Sequence, residues 1–412
     1  MVSERLKSFA VLAMLSLLYF LLMAGTFNSL GLVLPAMVEA FGMSWAQAGF
    51  GFTLLGIACG IMSLGPALLI RRIGVTGTLL LGTALLVTGF LAMYLAQSTT
   101  SYYVGTTLLG LGFCFCGTVP GVHVLSSLFA RRSAVLGVYF TVGSLGSVAG
   151  PLFYWAATDL GLDWRGYWLS FAFGSLVIGV LAALSTRVSP GTTSSASDGM
   201  EAPDLPTAIH GWLVRPALST VQFWVIVFAY TACLAINTTT HSFSYQHLLE
   251  NGLSAEKVTQ LISLSALIGA GGAALAGWMG EIFSPRSLTM LSLGCLAISA
   301  ITLGIGQGEI VLGIWVLTLG VGLGFSYVGT AMLLQEYFGQ RASLELYSIM
   351  TAISTSAAIG PAFGGYMRDM SGSFAGTFYV LAAIALALLG AVLVLRPPAQ
   401  TTEPALKPAH QA

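Results

Sequence analysis

Residues 110–118 read GLGFCFCGT and residues 322–330 read GLGFSYVGT, 212 positions later. The correspondence continues beyond this pair: Gly150, Pro151, Phe153, Asp159 and Gly166 recur as Gly360, Pro361, Phe363, Asp369 and Gly376, each 210 later. Gly42 with Ser44 matches Gly252 with Ser254 at 210, and Tyr19 has a looser counterpart in Tyr230 at 211. One half of the chain has been used twice. Solenoid units are about 20–50 residues long, so a repeat of this length is something else. In an apolar chain it implies two parallel membrane halves around a shared pathway.

Hydrophobic residues make up 56% of the chain and charged residues 7%. The mean hydropathy is +0.88, which leaves too little polar surface to clothe a water-soluble domain. This is the composition of a membrane protein whose partner is the lipid bilayer. Zero net charge gives no sign of a nucleic-acid partner. All five cysteines, Cys59, Cys114, Cys116, Cys233 and Cys295, fall inside apolar runs, where they behave as small hydrophobes. Cys114 and Cys116 are two apart, which sends them to different faces of a helix. No disulfide, metal or other cofactor is expected.

Twelve apolar runs are long enough to cross about 30 Å of hydrocarbon at about 1.5 Å per residue. In order they are 9–35, 47–70, 75–96, 102–128, 134–157 and 166–186, then 222–247, 257–282, 286–306, 309–335, 342–367 and 373–396. The predicted fold is an all-α membrane protein, with twelve transmembrane helices in two pseudo-symmetric six-helix bundles. The bundles take residues 1–186 and 221–396. Residues 187–220, rich in Pro, Gly, Ser and Thr, form a polar linker, and 397–412 a disordered tail. Arg5 and Lys7 ahead of the first run resemble a secretory signal, but the run continues to about Leu34 and has a twin in mid-chain, so it reads as a retained helix.

With the N-terminus inside, the cytoplasmic segments hold twelve of the basic residues, and the outer loops hold Arg165, Lys257 and Arg368. Both termini are therefore expected in the cytoplasm, the chain being multi-pass in the cell (inner) membrane and functional as a monomer. Trp45, Trp155, Trp164 and Trp168 sit near outer span ends, as in an aromatic belt.

Two repeated six-helix halves with a polar central linker resemble the major facilitator superfamily over nearly the whole chain. Phe129–Pro151 (FARRSAVLGVYFTVGSLGSVAGP) is similar to the basic loop and Gly-rich fifth helix of its monocarboxylate and oxalate porters. Gly360–Val380 (GPAFGGYMRDMSGSFAGTFYV) resembles their eleventh-to-twelfth helix segment, and His241 with Tyr245 matches a His and Tyr at the end of their seventh. The resemblance implies secondary active transport of a small organic solute, most readily a monocarboxylate, by proton symport with alternating access.

The departures are as informative. The superfamily's loop between spans 2 and 3 usually reads G-x-x-x-D-R-x-G, but here it holds Ala67, Arg71, Arg72 and Gly74, without the acidic member. A partial copy follows span 8 at Gly277 and Glu281. The Arg that drug/proton antiporters carry in span 4 is replaced by Thr106, and the Arg that many carboxylate porters carry in span 8 falls on Ala273. Span 5 has the antiporter spacing Gly137, Gly146, Gly150, Pro151, but ends on Tyr154 and Trp155 where antiporters have Gly-Gly. Close packing of small residues explains that spacing equally well.

Glu336 and Glu345 flank the loop around Arg341, and every other charge lies in a loop or at a span end, so the chemistry inside the membrane falls to neutral groups and histidines. Tyr230, Cys233, Asn237, His241, Ser244 and Tyr245 recur every three to four residues, on one face of span 7. His241 can titrate near neutral pH and, once protonated, pair with a carboxylate; a neutral His satisfied by a hydroxyl or carbonyl is the structural alternative. His123, following Pro120 in span 4, is the second candidate for proton coupling, and His247 lies nearer the interface. Asn28 and Ser29 sit 210 before Thr238 and Thr239, suggesting paired polar patches. Tyr139 and Tyr327 can supply hydroxyls, or simply pack. The expected substrate contacts are thus Asn28, Tyr139, Tyr230, Asn237, His241, Tyr245 and Tyr327.

A drug or metabolite exporter of the same superfamily is the alternative within transport. An enzyme would need a cluster such as H-E-x-x-H or paired carboxylates at membrane depth, and neither occurs in the sequence. A non-transporting sensor would need a signalling domain, for which the short tails leave no room. No G-x-x-x-x-G-K-[ST] loop points to ATP.

Overall fold

The computed structural model describes residues 2–129, 132–187, 212–280, 282–339 and 341–398. Most of the expected linker and tail lies outside the described residues, as do Arg131 and Glu281. Among the described residues all regular structure is helical. Eleven helices are long and apolar enough to cross a bilayer, and the shorter apolar helix Trp45–Ile61 completes the twelve.

Span 1 is Val2–Gly25 with Phe27–Phe41, and span 2 is Trp45–Ile61, prolonged by a 3-10 turn and the start of helix Gly65–Tyr94. Gly74 (φ 75°, ψ 171°) interrupts that helix, and span 3 is the part beyond it, so one residue makes the turn that the predicted gap 70–75 requires. Span 4 is Thr99–Cys116 with Thr118–Leu128, span 5 Arg132–Asp159 and span 6 Trp164–Arg187. Spans 7 to 10 are Val221–Glu250, Ala255–Met279, Pro285–Ile305 and Glu309–Phe338. Span 11 is Ser343–Ser354, a 3-10 turn and Ile359–Ser371, and span 12 is Ala375–Val394.

The repeated Gly/Ser pairs are punctuation. Gly42 ends span 1 in the left-handed region (φ 61°), and Ser44 opens span 2 with a capping box to Gln47. Gly252 (φ 90°) and Ser254, which accepts the Lys257 N–H, do the same before span 8.

The packing of the two halves is equivalent. Span 3 packs on 4 and 6 as span 9 packs on 10 and 12; span 1 meets 5 as 7 meets 11, and span 2 meets 4 as 8 meets 10. The halves touch along spans 2 and 11, 5 and 8, and 1 and 7. The spatial register corrects the one read from the letters. A Cβ on Gly110 would collide with the Leu55 carbonyl, and one on Gly320 would lie 2.8 Å from the Ser265 carbonyl. Gly112 meets Leu86 at 2.7 Å, and Gly322 meets Leu296 at 2.7 Å. Both pairs are related by 210, so Gly110 corresponds to Gly320 and not to Gly322. Alternating glycines can be aligned two ways in sequence, but only one choice lets the backbones approach.

The tryptophans correct a second expectation. Trp168 is fully buried and stacked on Phe90 at 5.8 Å, and Trp45 lies between the halves against Phe374 at 5.2 Å. Trp164 lies under the Arg165 guanidinium at 4.0 Å and Trp155 is exposed, so these two are the members that fit a belt.

Candidate functional site

Two spans of the first half are discontinuous at mid-depth. Span 1, expected as one run, breaks at Thr26 (φ −99°, ψ −103°). A break frees backbone carbonyls that must be satisfied without water. Thr26 Oγ1 donates to Leu22 O at 2.7 Å, Asn28 Nδ2 to Met23 O at 2.9 Å, and the Ser29 hydroxyl to Ala24 O. Asn28 also donates to Ser147 Oγ of span 5 at 3.1 Å, and Tyr167 O–H to Ser29 Oγ at 2.7 Å. Thr238, 210 beyond Asn28, donates to Ala357 O at 3.4 Å, and Ala357 is 210 beyond Ser147. Span 4 breaks at Gly117, whose carbonyl accepts the Tyr139 hydroxyl at 3.2 Å. Asn28 and Tyr139 are both buried, and both hold a helix break within their own half.

In the second half span 7 is unbroken and supplies the site. Asn237 Nδ2 donates to the Tyr327 hydroxyl at 3.3 Å, and the Tyr230 and Tyr327 rings meet edge-on at 6.2 Å. Asn237 Oδ1 is out of contact with solvent and has no hydrogen-bond partner among the described residues. Tyr327 is 41% exposed although it sits in mid-span. Two further rings lie nearby that the sequence pattern did not single out: Tyr347 of span 11, beside the Tyr230 hydroxyl, and Tyr19 of span 1, which comes toward Tyr327 from the opposite half but is buried against Tyr139. The looser pairing of Tyr19 with Tyr230 was the one hint. Cys233 leaves the expected stripe, its thiol 4.0 Å from Ser292 of span 9.

His241 lies one turn beyond Asn237. Its carbonyl is where Gly31 of span 1 approaches; a Cβ on Gly31 would fall on that oxygen. The ring is half-buried, and no ion pair reaches it among the described residues. Tyr245 is buried one turn further on, near Tyr154 of span 5. His123 is exposed on span 4, outside this group. His247 is a clamp, its Nε2 donating to Leu303 O at 2.8 Å while the ring packs on Phe378.

Beyond His241 the two halves close, at the end opposite Val2 and Val394. Trp45 packs on Phe243 at 6.2 Å, and Gly49 abuts the Pro361 carbonyl. Asp369 accepts the N–H groups of Trp45 (3.0 Å) and Ala46 (2.8 Å), capping span 2 from span 11. Arg368 pairs with Glu250 at 3.0 Å. The arrangement offers hydroxyl, amide and imidazole groups to a small polar solute. Among the described residues no cluster of three His, Cys, Asp or Glu side chains could hold a metal.

Comparison with known proteins agrees with this architecture. The sequence profile of the Major Facilitator Superfamily matches residues 15–355. The chain is 26% identical over 393 residues to monocarboxylate transporter 13 of Rattus norvegicus, covering 91% of this chain and 86% of that one. In structure it is similar to the nucleoside transporter NupG, with a TM-score of 0.74 at 12% identity over 93% of this chain and 99% of that one. The peptide transporter POT follows, with a TM-score of 0.72 at 15% identity over 93% of each chain. Duplicated halves and twelve apolar helices thus have one common explanation: the chain belongs to the major facilitator superfamily and is a membrane transporter, not an enzyme.

Proposed function

We propose that the protein carries a small monocarboxylate together with a proton, exposing the site around Asn237 to the two sides of the membrane in turn. The observation that carries this reading is the Asn237–Tyr327 pair, with His241 one turn beyond it. It is a donor set suited to a carboxylate, in a place free of competing fixed charge. The monocarboxylate transporters among the relatives support the substrate class. Each charge-assisted hydrogen bond to a carboxylate contributes about 1.5–3 kcal/mol, so three neutral or singly charged donors make a modest, readily reversible site. Tyr230 and Tyr245 border it, while Asn28 and Tyr139 serve it by holding the breaks in spans 1 and 4. His241 takes the co-transported proton in this reading, and His123 is the next candidate. The closed end beyond His241 makes this the inward-facing state, with both termini cytoplasmic in the inner membrane. Residues 187–220 join halves 1–186 and 221–396 in one working monomer.

Uptake of labelled pyruvate into proteoliposomes under an imposed pH gradient tests the proposal. A protonated His241 favours the carboxylate, so uptake should rise as the outer pH falls through the imidazole range. His241→Gln keeps a donor but cannot ionise, and should flatten that rise; if it does not, the role passes to His123. Asn237→Ala and Tyr245→Phe should weaken affinity more than pH dependence. A neutral or cationic solute outcompeting every carboxylate would sink the reading in favour of an exporter.

A further inference from the structure

The walls of the site are unusual for a small aliphatic acid. Tyr19 is stacked on Tyr139 at 4.8 Å with the planes 15° apart. Both rings are fixed: Tyr139 is tied to the Gly117 carbonyl, and Gly143 sits so close to Tyr19 that a Cβ there would strike its ring. Across the seam, Tyr327 and Tyr347 flank the buried Tyr230. Tyr327 is 41% and Tyr347 39% exposed, so their rings are uncovered where the halves face each other. One half thus holds a braced aromatic pair that is itself buried, Tyr19 at 7% and Tyr139 at 1% exposure, and the other presents two open rings. An aliphatic tail needs only Leu and Val walls. Tyrosine rings add a directional preference, because a positive ring edge seeks a negative ring face.

The polar groups lie to one side of these rings. Along span 7, Tyr230 is seven residues before Asn237, about 10 Å, and His241 is about 6 Å beyond it. That order of aromatic wall, amide and imidazole fits a molecule with a ring at one end and a carboxylate at the other. Asn237 donates through Nδ2 to the Tyr327 oxygen, which leaves the Tyr327 O–H free to donate in turn. We infer that the substrate is an arylcarboxylate, its ring held against the open Tyr327 and Tyr347 rings of one half, with the edge of the buried Tyr19 as the contact from the other. This rests on the carboxylate reading above and narrows it. A ring touched by both halves also gives the substrate a differential hold on the closed arrangement, which is what a conformational change requires of its ligand.

The test compares labelled benzoate with cyclohexanecarboxylate, an acid of similar size and charge without π electrons, and uses benzyltrimethylammonium as competitor. In the intact protein in proteoliposomes, benzoate should be carried with kcat/KM about tenfold higher than its saturated analogue. Tyr327→Leu and Tyr19→Leu should lower both, with benzoate falling about tenfold further, while Tyr327→Phe should keep the ratio. If a leucine variant fails to fold, the wild-type ratio alone decides. Equal uptake of the two acids overturns the aryl inference and leaves the carboxylate reading standing. Uptake of neither acid overturns the carboxylate reading itself, and inhibition by the ammonium would then assign the rings to a cation.

Discussion

The seam between spans 2 and 11 and the seam between spans 5 and 8 are related by the same 210-residue repeat, yet only the first is latched. In the first, Asp369 caps the N-terminus of span 2, and Gly365 lets the Trp45 carbonyl come so near that no side chain would fit. The equivalents in the second are Asp159 and Trp155 in span 5, facing Ala255 and Glu256 in span 8. Asp159 is exposed with no hydrogen bond to the start of span 8, although Ser254 caps that helix as Ser44 caps span 2. Glu256 stands at the position equivalent to Ala46 and Trp155 at that equivalent to Gly365, so this seam carries a negative charge and a bulky ring where the first has a methyl group and a hydrogen. A cavity of about 50 Å3 remains there, lined by Leu152, Trp155, Glu256, Thr259 and Gln260. Duplication supplied two equal seams. Three exchanges, Trp45 for Ala255, Ala46 for Glu256 and Gly365 for Trp155, then separated a fastened seam from an unfastened one.

The strongest way to break this comparison is to fill the glycine. Gly365→Leu should force spans 2 and 11 apart at a cost of about 1–3 kcal/mol or more, because the obstacle is backbone and cannot rotate away. Transport should fall at least about tenfold. Distances between spin labels on exposed sites of spans 2 and 11 should then lengthen; unchanged distances would mean that the seam does not depend on this approach.

Removing the latch charge should have a smaller effect. Asp369→Asn keeps one acceptor but loses the charge that favours a helix N-terminus, and should shift the balance toward the opposite opening by about fivefold. Asp159→Asn, its repeat counterpart, should do nothing measurable. Distance measurements by spin labels across each seam would read both, and equal responses would contradict the asymmetry.

The reverse experiment tests whether the second seam is held open by its substitutions. Trp155→Gly with Glu256→Ala should draw spans 5 and 8 together and slow transport by about twofold to fivefold, as the yielding seam stiffens. Accelerated transport would show that Trp155 props nothing.

The mildest prediction sharpens the equivalence deeper in each half. A Cβ on Gly150 would meet the Ala24 carbonyl at 2.5 Å, whereas one on Gly360 would meet the Thr239 hydroxyl at 2.5 Å and backbone only at 3.4 Å. A hydroxyl can turn and a carbonyl cannot, so Gly150→Ala should lower thermal stability in detergent by a few degrees more than Gly360→Ala.

Much of this molecule was legible in its letters, and the reason is that hydropathy, capping and glycine content are properties of neighbouring residues. Twelve apolar runs, the match of Gly42/Ser44 with Gly252/Ser254 and the replacement of a Gly-Gly by Tyr154 and Trp155 all needed no coordinates. The same local reading placed Asn237 and His241 on one face of span 7. What it could not supply was the partner of each group. Asn237 meets Tyr327 across ninety residues, and Tyr19 comes toward Tyr327 from the other half. Asn28 turned inward to satisfy carbonyls that only a break at Thr26 sets free. The register of the GLGF stretch, 212 in letters and 210 in space, was decided by which glycines face a carbonyl. The two aspartates are alike in sequence context and differ in structure, because a carboxylate binds according to what stands opposite it. For Asp369 that is the pair of N–H groups of Trp45 and Ala46 that the Ser44 cap leaves over, and for Asp159 the equivalent positions are Ala255 and Glu256, whose carboxylate is of like charge.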